Sequence, residues 1–98
     1  MQSVTVTGRF VDQNRNPIAG RVRFIPSRLF LVEHGVTWAT RAPEVDLVEG
    51  RFSVELSRTD QHHVDWFYVV DSPMGAMIVK IQDDGPLKLV DLLPKKTA

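Results

Sequence analysis

From Val4 to Pro26 apolar and polar residues alternate with a period of two. Val4, Val6, Gly8 and Phe10 fall on one side of an extended segment, and Thr5, Thr7, Arg9 and Val11 on the other. The alternation resumes with Val22 and Phe24 against Arg21 and Arg23. A strand with one buried side presents residues in this way, whereas a helix needs a period near 3.6. Between the two runs, DQNRNPIAG collects residues that hydrogen-bond their own backbone, fix φ or accept positive φ. The chain is therefore expected to reverse there, as a long-looped β-hairpin.

The same signature recurs along the chain. Pro26 cannot donate to a ladder and is expected to end its strand or lie at an edge. Leu29 to Glu33 and Val36 to Thr40 read as two short strands about a tight turn at Glu33-His34-Gly35, with Gly35 at positive φ. Val45 and Leu47 alternate with Glu44, Asp46 and Val48, Glu49-Gly50 reverses the chain, and Phe52, Val54 and Leu56 follow, so a second hairpin is expected. After a polar connection from Ser57 to His63, Val64, Trp66, Tyr68 and Val70 take one face and Phe67 and Val69 the other, the pattern of a central strand covered on both sides. Asp71 to Gly75 turns the chain, Met77, Val79 and Ile81 return antiparallel, and Asp83-Asp84-Gly85-Pro86 breaks the pattern. Leu87, Leu89 and Leu92 close the core, and Pro94 to Ala98 reads as a solvated tail.

About eight short strands at this spacing, with no long amphipathic stretch, predict an all-β fold, an antiparallel two-sheet β-sandwich of Greek-key type. Residues 1–94 form the expected single domain and 95–98 a flexible basic tail. The predicted core is Val6, Phe10, Val22, Phe24, Phe52, Val54, Trp66 and Tyr68. A buried aromatic in this set contributes about 2–3 kcal/mol on area grounds.

Ninety-eight residues suffice to bury a sizeable core. With no cysteine, disulfides and thiolate metal sites are excluded, and the redox compartment is left open. Leu29–Val32 and Trp66–Val70 are the most conspicuous apolar runs, far short of the roughly 20 residues of a membrane span. MQSVTVTG lacks the basic and apolar regions of a secretory signal, so synthesis in the cytoplasm is expected. Net charge is zero but uneven, +4 over residues 1–30 and −4 beyond. The two sets either cancel across one compact surface or leave a basic face for an acidic neighbour. A pI near 6.8, with no basic helical stripe, does not suit nucleic acid.

His62-His63 with Asp60 and Asp65 is the one cluster with metal-ligand chemistry. In a loop both imidazoles could converge, whereas in a strand adjacent residues point to opposite faces; His34 is distant, and neither Cys nor HExxH accompanies them, so a solvated polar crossover is the expected role and a metal site the alternative. No cofactor or metal is expected. No serine sits in a G-x-S-x-G elbow, and no enzyme activity is expected. Arg9, Arg21 and Arg23 are placed on the polar face of the first hairpin with Thr5 and Thr7. They form either an ordinary solvated face or a protein interface offering fork-shaped donors to carboxylates. Leu29 and Phe30 join them as interface candidates. Leu29-Phe30-Leu31-Val32 is apolar on both faces, so as an edge strand it would expose one row, unless a following loop covers it.

Four stretches, VTVTGRFVDQNRNPIAGRVRFIP, GRFSVELSRTD, VDWFYVV and LKLVDLLP, carry a family resemblance that runs from Val4 to Pro94. The chain resembles a domain that recurs in minor tail and other virion-associated proteins of tailed phages infecting actinobacteria. That domain has a V-T-G-x-F opening, then P-x-A-G-x-V-x-F-x-P, G-x-F-S-V-x-L-x-x-T-D and W-x-Y-x-V. Here these are Val6-Thr7-Gly8 with Phe10, Pro17 with Ala19-Gly20, Val22, Phe24 and Pro26, Gly50 through Asp60, and Trp66, Tyr68 and Val70. The resemblance implies a prealbumin-like or carboxypeptidase-regulatory-like β-sandwich. It also implies a non-enzymatic structural protein of the virion, a minor tail protein or capsid accessory protein that docks in multiple copies onto neighbouring tail or capsid subunits. Neither a membrane nor a small molecule is an expected partner. The domain often heads a longer protein, so a stand-alone subunit and an N-terminal domain both fit. A carbohydrate- or receptor-binding module is the alternative, and it requires Trp38 or Trp66 exposed for stacking. The prealbumin-like hydroxyisourate hydrolases resemble this chain in architecture alone: they use an N-terminal histidine and a C-terminal Tyr-Arg-Gly-Ser, where this sequence has His34 as its first histidine and ends PKKTA.

Overall fold

The computed structural model describes residues 3–60 and 64–93. In chain order these form β1 (Ser3–Arg9), β2 (Arg21–Pro26), β3 (Phe30–Glu33), β4 (Val36–Ala39), β5 (Glu44–Asp46), β6 (Arg51–Ser57), β7 (Tyr68–Ser72), β8 (Gly75–Val79), β9 (Leu87–Lys88) and one helical turn, α1 (Leu89–Leu92). The architecture is an all-β sandwich. One layer has the order β6-β1-β9, the other β5-β2-β7-β8, and β3-β4 stands apart as a two-stranded sheet.

Alternation decides what lies between the layers. Val4 and Val6 of β1 oppose Leu56 and Val54 of β6, and all four are buried. Val22 and Phe24 of β2 and Tyr68 and Val70 of β7 are buried on the other sheet, with Phe24 opposite Val70. Phe52 joins the layers, its ring 5.8 Å from Phe10 and 5.6 Å from Phe24. A Cβ on Gly8, its register partner, would lie 2.3 Å from that ring, so β1 gives way where Phe52 packs. Trp66 is fully buried 5.2 Å from Tyr68. All eight residues of the predicted core have buried side chains, and Val4, Leu31, Leu56, Val70, Val79, Ile81 and Leu89 pack with them.

Connectivity differs from the sequence reading at both expected hairpins. β1 and β2 do not pair: β1 lies between β6 and β9, and β2 between β5 and β7. The segment 10–20 exceeds the usual two to five residues of a hairpin loop, and it carries the chain from one layer to the other. A turn does form inside it. The Asp12 carboxylate accepts from the backbone N–H groups of Asn14 (2.8 Å) and Asn16 (2.9 Å), Arg15 takes φ 64°, and Val11 bridges Pro17. These backbone bonds hold the Asp12 carboxyl below its ordinary pKa. Phe10 N–H then donates to Gly50 O at 2.7 Å, which ties the segment to the body.

At Glu49-Gly50 the reversal forms as expected, with φ 53° and 77°, but it holds one bridge, Val48 to Arg51, before β5 and β6 part into different layers. β6 pairs with β1 over seven positions, which puts both valine and leucine rows inside. β5 pairs with β2, where Arg21 faces Asp46 and Arg23 faces Glu44. Nonlocal burial and charge pairing outweigh the local turn.

Smaller differences concern the ends of elements. Val64 and Trp66 precede β7, which instead runs on through Asp71 and Ser72 to turn at Pro73-Met74. β7 is central in its layer, but Phe67 and Val69 are only half-buried, so its outer side is not fully covered. β9 runs parallel to β1 and leads into α1, a single helical turn where no helix was expected. Arg58 clamps the crossing that precedes β9, pairing with Asp60 (2.6 Å) and Asp84 and donating to Gln82 O (2.9 Å). The tail from Pro94 lies outside the described residues.

Candidate interaction surface

The side hairpin β3-β4 is built by a local rule. His34 and Gly35, at φ 50° and 75°, provide the two positive-φ positions that a tight hairpin turn needs. The expected reversal at Glu33-His34-Gly35 is therefore present, and Phe30 pairs Ala39, Leu31 pairs Trp38 and Val32 pairs Thr37. At its base Thr40 N–H and Oγ1 both donate to Leu29 O.

Its two faces differ. Leu31 is 2% exposed and belongs to the core, so it pins the hairpin to the body. Its cross-strand partner Trp38, on the same face, is 38% exposed. On the opposite face Phe30 and Val32 are 56% and 58% exposed, and Leu29 beside them is 85% exposed. Among the described residues no third strand pairs with this sheet, so the outer edges of both β3 and β4 offer backbone donors and acceptors. Exposed apolar side chains beside two open edges are the combination that folded monomers normally avoid. Leu29 and Phe30 are thus both exposed, and the following segment does not cover them.

The arginines are not gathered on one face. Arg9 lies on β1 and Arg21 and Arg23 on β2, in opposite layers, because the first hairpin does not form. Arg21 is engaged within the chain, at 2.9 Å from Glu44 and 2.9 Å from Asp46, and Arg23 stands in register between Glu44 and Asp71. The basic N-terminal third is thus partly neutralised by acids from later in the sequence. Arg9 instead faces Arg51 across the β1–β6 ladder.

Of the metal candidates read from the sequence, His62 and His63 lie outside the described residues. Asp60 pairs with Arg58, whose hydrogen bonds lower its carboxyl pKa, and Asp65 pairs with Lys80 at 2.9 Å. His34 occupies the tip of the side hairpin. Of the stacking candidates, Trp66 is closed off in the core, which leaves Trp38.

The fold and this surface define a small all-β sandwich with an apolar side hairpin. Compared with known families and with curated proteins, the chain matches no family model and no curated protein.

Proposed function

We propose that this chain is a non-enzymatic structural protein of a tailed-phage virion, a minor tail or capsid accessory protein, which docks onto neighbouring subunits through the β3-β4 hairpin. The observation that carries the reading is the exposed apolar face of Phe30 and Val32 beside two strand edges that are unpaired among the described residues. A neighbour that buries those side chains and adds a strand gains apolar area and backbone hydrogen bonds at once. The phage assignment is supported by the resemblance of residues 4–94 to virion-associated domains. Arg21 and Arg23 play a lesser part in this reading than Leu29 and Phe30, because Arg21 already has two carboxylate partners.

The test is incorporation into particles. Phe30→Asp with Val32→Asp should leave the melting temperature of the free protein nearly unchanged and remove the chain from purified virions. Wild-type copy number in particles made with that variant would overturn the role of the hairpin. Absence of the wild-type chain from virions would overturn the assignment itself. A sugar-dependent shift in tryptophan emission that Trp38→Phe abolishes would favour the carbohydrate module instead.

A further inference from the structure

A cleft of about 850 Å³ opens at the end of the sandwich where β1 finishes and β6 starts. Phe10, Phe52 and Leu89 form its floor, with Met77 from β8 and the exposed Val90 from α1 on its walls. Its size and apolar lining are those of a binding site rather than a packing defect.

Its charge is one-sided. Arg9, Arg51 and Lys88 stand at its rim, and among the described residues no Asp or Glu lines it. They come from three adjacent strands: Arg51 on β6 faces Arg9 on β1, and Lys88 on β9 faces Thr7, one pleat back along β1. Among the described residues none of the three cations makes an ion pair. Like charges directly opposite one another raise the energy of the unoccupied protein, so an anionic occupant is favoured by relief as well as by attraction.

The spacing selects the kind of anion. Two strand separations and two residues of rise put the Cα atoms of Arg51 and Lys88 roughly 12 Å apart. A single carboxylate headgroup cannot span that rim. An extended peptide places every second side chain on one face, about 7 Å apart, and the intervening ones on the other. With carboxylates in one set and large apolar groups in the other, it meets the rim and the cleft together.

We infer that the cleft binds an extended segment of another protein in which Asp or Glu alternates with large apolar residues. This site is separate from the side hairpin. β2 starts beside the β7–β8 turn, where a Cβ on Gly20 would lie 2.7 Å from Pro73, and its other end, Pro26, leads into the hairpin. The inference concerns a second partner contact and holds whether or not the hairpin docks to a virion.

The test uses the full chain and a labelled heptapeptide of alternating glutamate and leucine, followed by fluorescence anisotropy. Binding should weaken at least roughly tenfold when glutamine replaces glutamate, the loss of about one charge-assisted contact. It should also weaken strongly near 1 M salt, where the screening length falls to about 3 Å. Arg9→Gln with Arg51→Gln should lose at least about tenfold in affinity at an unchanged or raised melting temperature. Phe30→Asp with Val32→Asp should bind the peptide as wild type does, which separates this site from the hairpin. Equal affinity for the glutamate and glutamine peptides, no response to the double arginine variant, or no binding would overturn the inference. So would saturable binding of laurate by a protein that ignores the peptide, which would make the cleft a small-molecule site.

Discussion

The body of the sandwich and the side hairpin are made from the same kinds of residue and put them to opposite use. In the body, Val6, Phe24 and Val70 are completely enclosed; in β3-β4, Phe30 and Val32 are more than half exposed. Both regions contain a two-residue turn with a Gly at φ near 75°, Glu49-Gly50 in the body and His34-Gly35 in the hairpin. The two turns differ in the pairing that the outgoing strand finds. After Gly50 the chain enters a seven-position ladder with β1, whereas after Gly35 it pairs, among the described residues, only with the strand just left. An isolated two-stranded hairpin is marginal in water, and this one is held to the core through Leu31. Substitutions in the body should therefore register in global stability, and substitutions in the hairpin in local opening and association.

The largest effect is expected at Phe52, which touches Phe10, Phe24 and the gap left by Gly8. Phe52→Ala should cost about 3–5 kcal/mol, a large part of the stability of a small domain. Denaturant titration checks it, and a midpoint that barely moves would remove the contrast between the regions. Gly50→Ala should come next, at about 3 kcal/mol, since positive φ strains any other residue and the new Cβ would lie 2.4 Å from Phe10 O. Backbone cannot swing aside as a side chain can.

These positions also show which parts of the fold could be read from sequence. Phe52 was visible as an inward residue because burial of alternate positions is a local signal. The turn at Glu49-Gly50 was visible because positive φ is written in residue type. Strand partners were not: β1 finds β6 some fifty residues away, and only the closed core shows that this pairing buries more than the adjacent one. The same limit applied to the surfaces. Leu29-Phe30 could be suspected from a run apolar on both faces. The neutralisation of Arg21 by Glu44 and Asp46 required knowing that β5 borders β2. The rim of Arg9, Arg51 and Lys88 draws on three strands that adjoin in the sheet but lie far apart in sequence, and so left no contiguous motif.

Tyr68 allows the enclosure of the body to be measured by titration. It is the chain's one tyrosine, so its absorbance change on ionisation has a single source. Burial raises its pKa above the ordinary 10, a rise opposed by the hydrogen bond its oxygen accepts from Ser57 N–H at 3.1 Å. A pKa raised on folding means that the folded form holds its proton longer than the unfolded chain. The associated stability is complete below pH about 10 and is lost as pH climbs through the folded value. Alkaline unfolding should thus accompany phenolate formation, and Tyr68→Phe should flatten the pH dependence above pH about 10. A tyrosine that titrates at its ordinary value in the folded protein would mean that the layers are looser at this end than their packing implies.

The smallest global effect is expected at Gly35, the counterpart of Gly50 in the side hairpin. Its φ of 75° strains an added Cβ just as the 77° at Gly50 does, but no atom lies within 4 Å of where that Cβ would go. Gly35→Ala should therefore carry only the conformational penalty, roughly 1 kcal/mol. If β3-β4 opens without the body, that penalty raises the population of the open hairpin and leaves the global midpoint where it was. Hydrogen exchange of the Phe30–Ala39 amides should then speed up while the β1–β6 amides exchange as before. A global loss as large as that of Gly50→Ala would show that Leu31 couples hairpin and body into one cooperative unit. Under the docking role proposed above, the hairpin would then be a rigid projection whose apolar face is set before any partner arrives.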